Sequence, residues 1–278
     1  MTAVIDWFQM QKKNTPESLF AFIKTIKSRQ MRTNGQWTIN TLQEKYDNNR
    51  LWISIESDIA IILLKDTENV LRLTYYAKDV DSLSHLLRVL PVIQAPIICD
   101  LLGKMPSLLQ YSEELKQIGM VPYAQYQRMQ CIDLTIDESI DTTEVQVARS
   151  EDADEIFSML HDEFDVITAR MPEKNTIRRR IEDKDVFVIR KSNLIAGFIV
   201  FDSRNKKSAL LEYVMVRPEY REMHIAKKIW NYKLKYENES KYYYLWVNTD
   251  RKIAVKFHES NGYRFDGLID NIFLIPNK

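Results

Sequence analysis

Glycine is scarce in this chain: Gly35, Gly103, Gly119, Gly197, Gly262 and Gly267 are all that 278 residues contain. Only glycine enters left-handed backbone geometry without steric cost, so each one at a turn or helix end reads as positional. Cysteine is scarcer, with Cys99 and Cys131 alone. They lie far apart in strand-like sequence, which excludes a disulfide framework, lacks zinc-site spacing and leaves two small core residues as the reading. No stretch approaches the roughly 18 apolar residues of a spanning helix. The start, Met1 to Asp6, lacks a basic segment leading into a long apolar run. A cytoplasmic protein without membrane association is expected. Net charge is missing too, because Lys+Arg and Asp+Glu stand at 39 each. Without a global field, no nucleic-acid partner is expected. The basic run Arg178, Arg179 and Arg180 reads as a solvated helix face.

What is present is apolar and aromatic residue, 45% and 11% of the chain, enough for well-packed globular structure; the length suits two domains. Ile136 to Thr143 is rich in Asp, Ser and Thr and makes a connection between domains at 1–136 and 145–278. In the second half, Ser150 reads as an N-cap with acidic residues in the following turn, and Ile156, Leu160 and Phe164 keep helical spacing. Another helix runs through the three arginines. Strands are expected at Val186 to Ile189, Leu194 to Phe201 and Ser208 to Val216. A helix from about Arg221 to Tyr236 then places Ile225, Ile229 and Tyr232 on one stripe. Tyr242 to Val247 reads as a strand, Thr249 or Asp250 as the cap of a helix ending at Gly262, and Asn271 to Pro276 as a closing strand.

The first half repeats this order more faintly, in Leu51 to Ile55, Ile59 to Lys65, Val70 to Ala77 and the helix ending before Gly119. Internal duplication is the simplest account. One feature is not repeated. After Val216 the chain turns at Pro218 into a helix, a junction that aims free N–H groups and a positive dipole end at one point and so suits phosphate. The first half has Asp79 and Asp81 there instead, which occupy the dipole and repel an anion.

Val216, Pro218, Arg221 and Ala226, followed by Val247, Ala254, Gly262 and Tyr263, match in register the two motifs of the GNAT acyltransferases. These are Val-x-Pro-x-x-(Arg/Gln)-x-x-Gly-x-(Gly/Ala) and Val-x-x-x-Asn-x-x-Ala-x-x-x-Tyr-x-x-x-Gly-(Phe/Tyr). The chain departs from them at His224 for the first loop glycine, Arg251 for the asparagine and His258 for the tyrosine. The resemblance implies an α/β fold class of tandem GNAT-like folds, each a mixed, mainly antiparallel sheet flanked by helices. In this arrangement 1–136 is a degenerate repeat and 145–278 the N-acyltransferase domain.

It further implies acetyl-CoA, or another acyl-CoA, as cosubstrate, with no metal. Its pyrophosphate would lie on Arg221, Glu222, Met223, His224, Ile225 and Ala226, and its pantetheine along Met215 and Val216. Arg251 falls near the cofactor, and Asn248 partly stands in for the missing amide. At His224 a side chain either swings aside or blocks the loop. Arg251 is a phosphate partner or a solvated helix-start residue, and Asn248 is more simply a turn residue. The acceptor is a small-molecule or peptide amine, its pocket drawn from Phe164 to Met171, and a homodimer is compatible with the sequence.

Amine acylation needs a base, and often an acid for the leaving thiolate. Glu212, among apolar strand neighbours that would raise its pKa, suits the base; its alternative is a solvent-facing or cross-strand paired carboxylate. His258 suits the acid, against a helix-face histidine packed on Phe257 or Tyr263. His85 and His161 read as structural. No Ser-His-Asp, metal-ligand or glycine-rich nucleotide constellation is present. Two competitors remain: a GNAT-fold module that only binds or senses CoA or a small ligand, and a transferase using aminoacyl-tRNA, which the charge balance disfavours.

Overall fold

A computed structural model of the chain describes residues 14–276 apart from 67, 133, 206 and 237–239. The start weighed above for a leader lies outside these residues. The chain forms two compact units. One takes in the residues up to Gln125 together with those from Ile269 on, and the other is Tyr126–Leu268.

The first unit opens with α1 (Pro16–Ile26), a two-residue strand β1 (Arg32–Thr33) and α2 (Ile39–Asp47). Both helices start at a threonine whose hydroxyl accepts an N–H three residues on, and Pro16 sits in the first turn, where no N–H is needed. Then β2 (Leu51–Glu56), β3 (Ile59–Lys65) and β4 (Leu71–Ala77) form an antiparallel meander. Short helices α3 (Val80–Leu83) and α4 (Leu86–Val89) lead to β5 (Ile97–Gly103), parallel to β4, and α5 (Ser107–Gln117) follows. As the sequence expects, the Asp79 carboxylate caps α3 by accepting the Ser82 N–H at 2.8 Å. Side chains alternate across the sheet. Ile59, Ile61 and Leu63 pack with Leu86, Leu108 and Leu115 on one face. Ala60, Ile62 and Tyr76 pack with Leu19 and Leu42 on the other.

β6 (Val121–Cys131) leads into the second unit, which holds β7 (Gln146–Val147), α6 (Ala153–Glu163), α7 (Lys174–Glu182), β8 (Val186–Lys191), β9 (Leu194–Asp202) and β10 (Ser208–Val216). It continues with α8 (Ile225–Tyr236), β11 (Tyr242–Asn248), α9 (Lys252–Ser260) and the start of β12 (Arg264–Ile275). β8 is apolar without alternation because both of its faces are covered. Val186 and Val188 pack with Ile156, Leu160 and Ile177, while Phe187 and Ile189 pack with Ile225, Ile229 and Trp230. Two caps differ from expectation. The Asp152 carboxylate, not Ser150, takes the free N–H at the start of α6's leading turn, accepting from Arg149 at 2.6 Å. Arg251 precedes α9 with no side-chain cap, so neither Thr249 nor Asp250 serves there.

The last strand of each unit comes from the half of the sequence assigned to the other. Residues 126–131 of β6 pair antiparallel with β11, from Asn248↔Tyr126 to Tyr243↔Cys131. Residues 269–275 of β12 pair antiparallel with β5, and Phe273 and Ile275 lie in the first unit's core. Apolar patterning marks a strand but does not name its neighbour, which is why the closing strand reads as part of the second half. Cys99 and Cys131 are buried and lie outside any disulfide among the described residues. Among the described residues no helix is long and apolar enough to cross a membrane.

Candidate functional site

β10 and β11 pair in parallel only at Ser208↔Tyr242, Ala209↔Tyr243 and Leu210↔Tyr244, although the strands run on to Val216 and Asn248. On β10's other side, the β9 register steps from Leu211↔Phe201 to Tyr213↔Val200, a bulge at Glu212 that bends the strand. Among the described residues no other strand pairs with β10 beyond Leu210. Its outer edge therefore presents backbone N–H and C=O groups to whatever enters the opening.

The chain leaves β10 through a 3₁₀ turn, Pro218–Met223, and reaches α8 by way of His224. His224 is left-handed, with φ 54° and ψ 26°, and its side chain is exposed. The backbone thus takes the shape a glycine would, at a strain of about 1 kcal/mol. The N–H groups of the first turn of α8 have no partner within the helix and carry its positive dipole end. Gly197 sets how close this junction comes. A Cβ there would lie 2.8 Å from Ile225 Cγ2 and 2.9 Å from the Met215 carbonyl oxygen. Arg217 locks the turn, its N–H donating to Ala196 O at 2.9 Å and its guanidinium to Ile195 O and Glu155.

The other predicted binding residues fall as follows. Met215 is only 8% exposed, packs into the core under α6 and α7, and turns its carbonyl toward Gly197 of β9 and not toward the opening; Val216 is half-buried. Arg221, Glu222 and Met223 are exposed, Ile225 is buried, and Ala226 is half-buried. Arg251 donates to Glu163 Oε1 at 2.9 Å and to the Glu163 carbonyl at 3.2 Å, with its guanidinium 5.9 Å from the Phe164 ring centroid. Arg221 reaches the same carboxylate at 3.6 Å. The two arginines therefore converge on Glu163, which no sequence motif marks. Both are about half exposed, so the pairing is weak and either can turn to a stronger anion. Asn248 is the last residue of β11, and its side-chain oxygen accepts the Asp250 N–H of the following turn at 2.9 Å.

Neither predicted catalytic group stands as expected. Both Glu212 oxygens are held by Arg180, which donates from Nε at 2.9 Å and from Nη2 at 2.8 Å. Arg180 is 2% exposed and also donates to Asp202 at 2.6 Å. A hydrogen bond from Arg204 and the charge of Arg180 hold the Asp202 carboxyl down at about 2. The third arginine of the basic run is therefore a buried anchor, not a solvated residue. The signal was in the spacing, since Ile177, Arg180 and Ile181 form one buried stripe of α7. Clamped in this way, Glu212 is an ion-pair residue, its partner coming from helix α7 and not from across the strands.

His258 is 6% exposed and packs edge-on against Phe257 and Tyr263, at 5.2 and 5.6 Å between ring centroids. Burial lowers its pKa to about 4, so at pH 7 it is a neutral imidazole and not a ready proton donor. Its Nδ1 and the Tyr263 hydroxyl are buried without hydrogen-bond partners. Among the described residues no group of three or more His, Cys, Asp or Glu is placed to hold a metal ion.

The second unit is thus an α/β domain in which a parallel strand pair parts and one strand leads through a turn to the N-terminus of α8. Comparison with known proteins finds a family match within the second unit. Residues 153–263 match the model of the Acetyltransferase (GNAT) family. Among solved structures, a GCN5-related N-acetyltransferase from Sphaerobacter thermophilus superposes with a TM-score of 0.57 at 10% identity, over 89% of this chain and 96% of that one. Another from Kribbella flavida gives 0.54 at 12% identity, over 86% and 95%. A tandem GNAT protein from the clavulanic acid biosynthesis pathway gives 0.53 at 10% identity, over 93% and 87%. At such identities the likeness is one of fold. No curated protein matches the chain.

Proposed function

We propose that the second unit is an acyl-CoA-dependent N-acyltransferase that passes an acetyl group directly to a primary amine of a small molecule or peptide. The carrying observation is continuity: the edge of β10 that β11 leaves beyond Leu210 leads through the Pro218–Met223 turn to the N-terminus of α8. An amide-bearing arm can hydrogen-bond along the edge while its phosphates lie at the positive helix end. Bound acyl-CoA supplies the activated thioester. Arg221 and Arg251 add positive charge at the phosphate end once they release Glu163. The segment 164–171 is held over the acceptor side by Tyr213, whose hydroxyl donates to Arg170 O at 2.7 Å, and by Tyr126, whose hydroxyl lies 3.0 Å from Thr168 Oγ1. With Glu212 clamped, the acceptor reacts as its free base. Its nitrogen bonds to the thioester carbon, the C–S bond breaks, and the nitrogen's proton leaves to water or the departing sulfur.

A second reading, a module that binds CoA or a small ligand without turnover, is favoured by the occupation of Glu212 and the burial of His258.

Ligand binding decides between these. Acetyl-, propionyl- or longer acyl-CoA at one hundred times its dissociation constant should stabilise the protein by roughly 2.7 kcal/mol. The same ligand should slow hydrogen exchange at β10 amides beyond Leu210 and in the first turn of α8. No change in either at millimolar ligand removes the proposal. Binding without amide product, across a panel of amines up to pH 9, selects the module. So does binding that appears only in His224→Gly.

A further inference from the structure

The first unit has a strand opening of the same kind, and it is filled. β4 and β5 pair in parallel only at Leu71↔Ile97 and Arg72↔Ile98, then part, although they continue to Ala77 and Gly103. β3 covers one edge of β4 along its whole length, so β1, which pairs with β4 at Arg32↔Ala77 and Thr33↔Tyr76, must lie on the edge that β5 has left. Asn34 then wedges where the strands divide. Its Nδ2 donates to Leu73 O of β4 at 2.9 Å and to Asp100 O of β5 at 3.0 Å, and its Oδ1 accepts the Tyr75 N–H at 2.9 Å. Thr33 Oγ1 donates to Tyr75 O at 2.7 Å and accepts the Gly35 N–H at 3.0 Å.

The backbone groups that β10 leaves open in the second unit are thus satisfied in the first by the protein's own chain. The segment is pinned on both sides of the opening. Arg32 pairs with Glu114 of α5 at 2.8 Å and lies 5.1 Å from the Tyr111 ring centroid, while the Trp37 indole N–H donates to Thr74 Oγ1 at 3.1 Å. Gly35 makes the crossing feasible, because a Cβ there would lie 2.3 Å from Thr74 Cγ2 and 2.7 Å from the Tyr76 hydroxyl.

We infer that residues 32–34 are a built-in occupant of the first unit's opening, a peptide arm that takes the place of an extended ligand and leaves one acyl-CoA site per chain. Only the identity of the ligand being counted rests on the function proposed above; the occupancy itself stands on the bonds of residues 32–37. Native mass spectrometry of the full chain with excess acetyl-CoA should show one ligand per chain, and two would overturn the inference. Hydrogen exchange tests the arm without any ligand. Asn34→Ala should speed exchange at the Tyr75 amide at least tenfold while leaving Ile199 and Phe201 in β9 unchanged, and an unaltered Tyr75 rate would overturn it. If that variant does not fold, Gly35→Ala, which forces the arm off Thr74 and Tyr76, is read at the same amide by the same criterion. No ligand bound at all would strike the function proposed for the second unit, and the exchange result would still decide the arm.

Discussion

His258 shows how one residue type can point to chemistry in a sequence and to packing in a fold. Its spacing from Ala254 and Gly262 is that of a family catalytic position, yet α9 turns it inward against Phe257 and Tyr263. Burial lowers its pKa to about 4, against about 6.5 in an unfolded chain. As pH falls the unfolded chain therefore takes up the proton first. Stability is complete above about pH 6.5 and is lost down to about pH 4, by on the order of 3 kcal/mol. His258→Phe removes both this loss and the unpartnered Nδ1. Urea midpoints at pH 7 and pH 5 should drop clearly for the parent and much less for the variant. Equal drops would place the proton uptake elsewhere. His224 is the opposite case, since its departure from glycine leaves the backbone shape intact and sends the side chain to solvent.

Among the elements, α7 is tied to the sheet through one guanidinium. Arg180 reaches Glu212 at the β10 bulge and Asp202 at the end of β9. Breaking a buried pair leaves charge uncompensated, so Arg180→Met should cost about 3 kcal/mol of stability by urea unfolding. Glu212→Gln should cost less, because Asp202 still balances the arginine. If acyl transfer is observed, Glu212→Gln should leave the shape of its pH–rate profile unchanged. A profile that lost its acid limb would return Glu212 to the role of base. The strand openings belong to this scale as well. Two β-α-β crossovers with the same pattern of pairing differ in what lies along the inner strand edge, a peptide arm in one and, among the described residues, no further strand in the other.

For the whole molecule, the exchanged strands set what each unit needs. Residues 269–275 close the sheet of the first unit and bury Phe273 and Ile275 there. Large-to-small changes at such sites cost about 2–5 kcal/mol each, against a total of about 5–15 for a domain. Deleting residues 269–278 should therefore unfold the first unit. The measurement is hydrogen exchange, with β5 amides at Ile98 and Leu101 losing protection while Ile199 and Phe201 of β9 keep theirs. Retained protection in β5 would show that the unit stands without its last strand.

Local order was legible in the residues. Ile59 to Lys65 and Ser208 to Val216 are strands with the bounds expected, Asp79 stands at a helix start as expected, and the two motifs fall in or next to the residues that match the GNAT family model. Periodicity, caps and motif spacing depend on neighbours in the chain, so the chain alone could determine them. Arg180 was legible in part, through a buried stripe hidden inside a basic run. Which strand closes which unit, the clamp on Glu212, the convergence of Arg221 and Arg251 on Glu163, and the arm between β4 and β5 were decided only by the tertiary structure. Each joins residues from 32 to more than 160 positions apart, and such pairings follow from which surfaces meet, which sequence spacing does not encode.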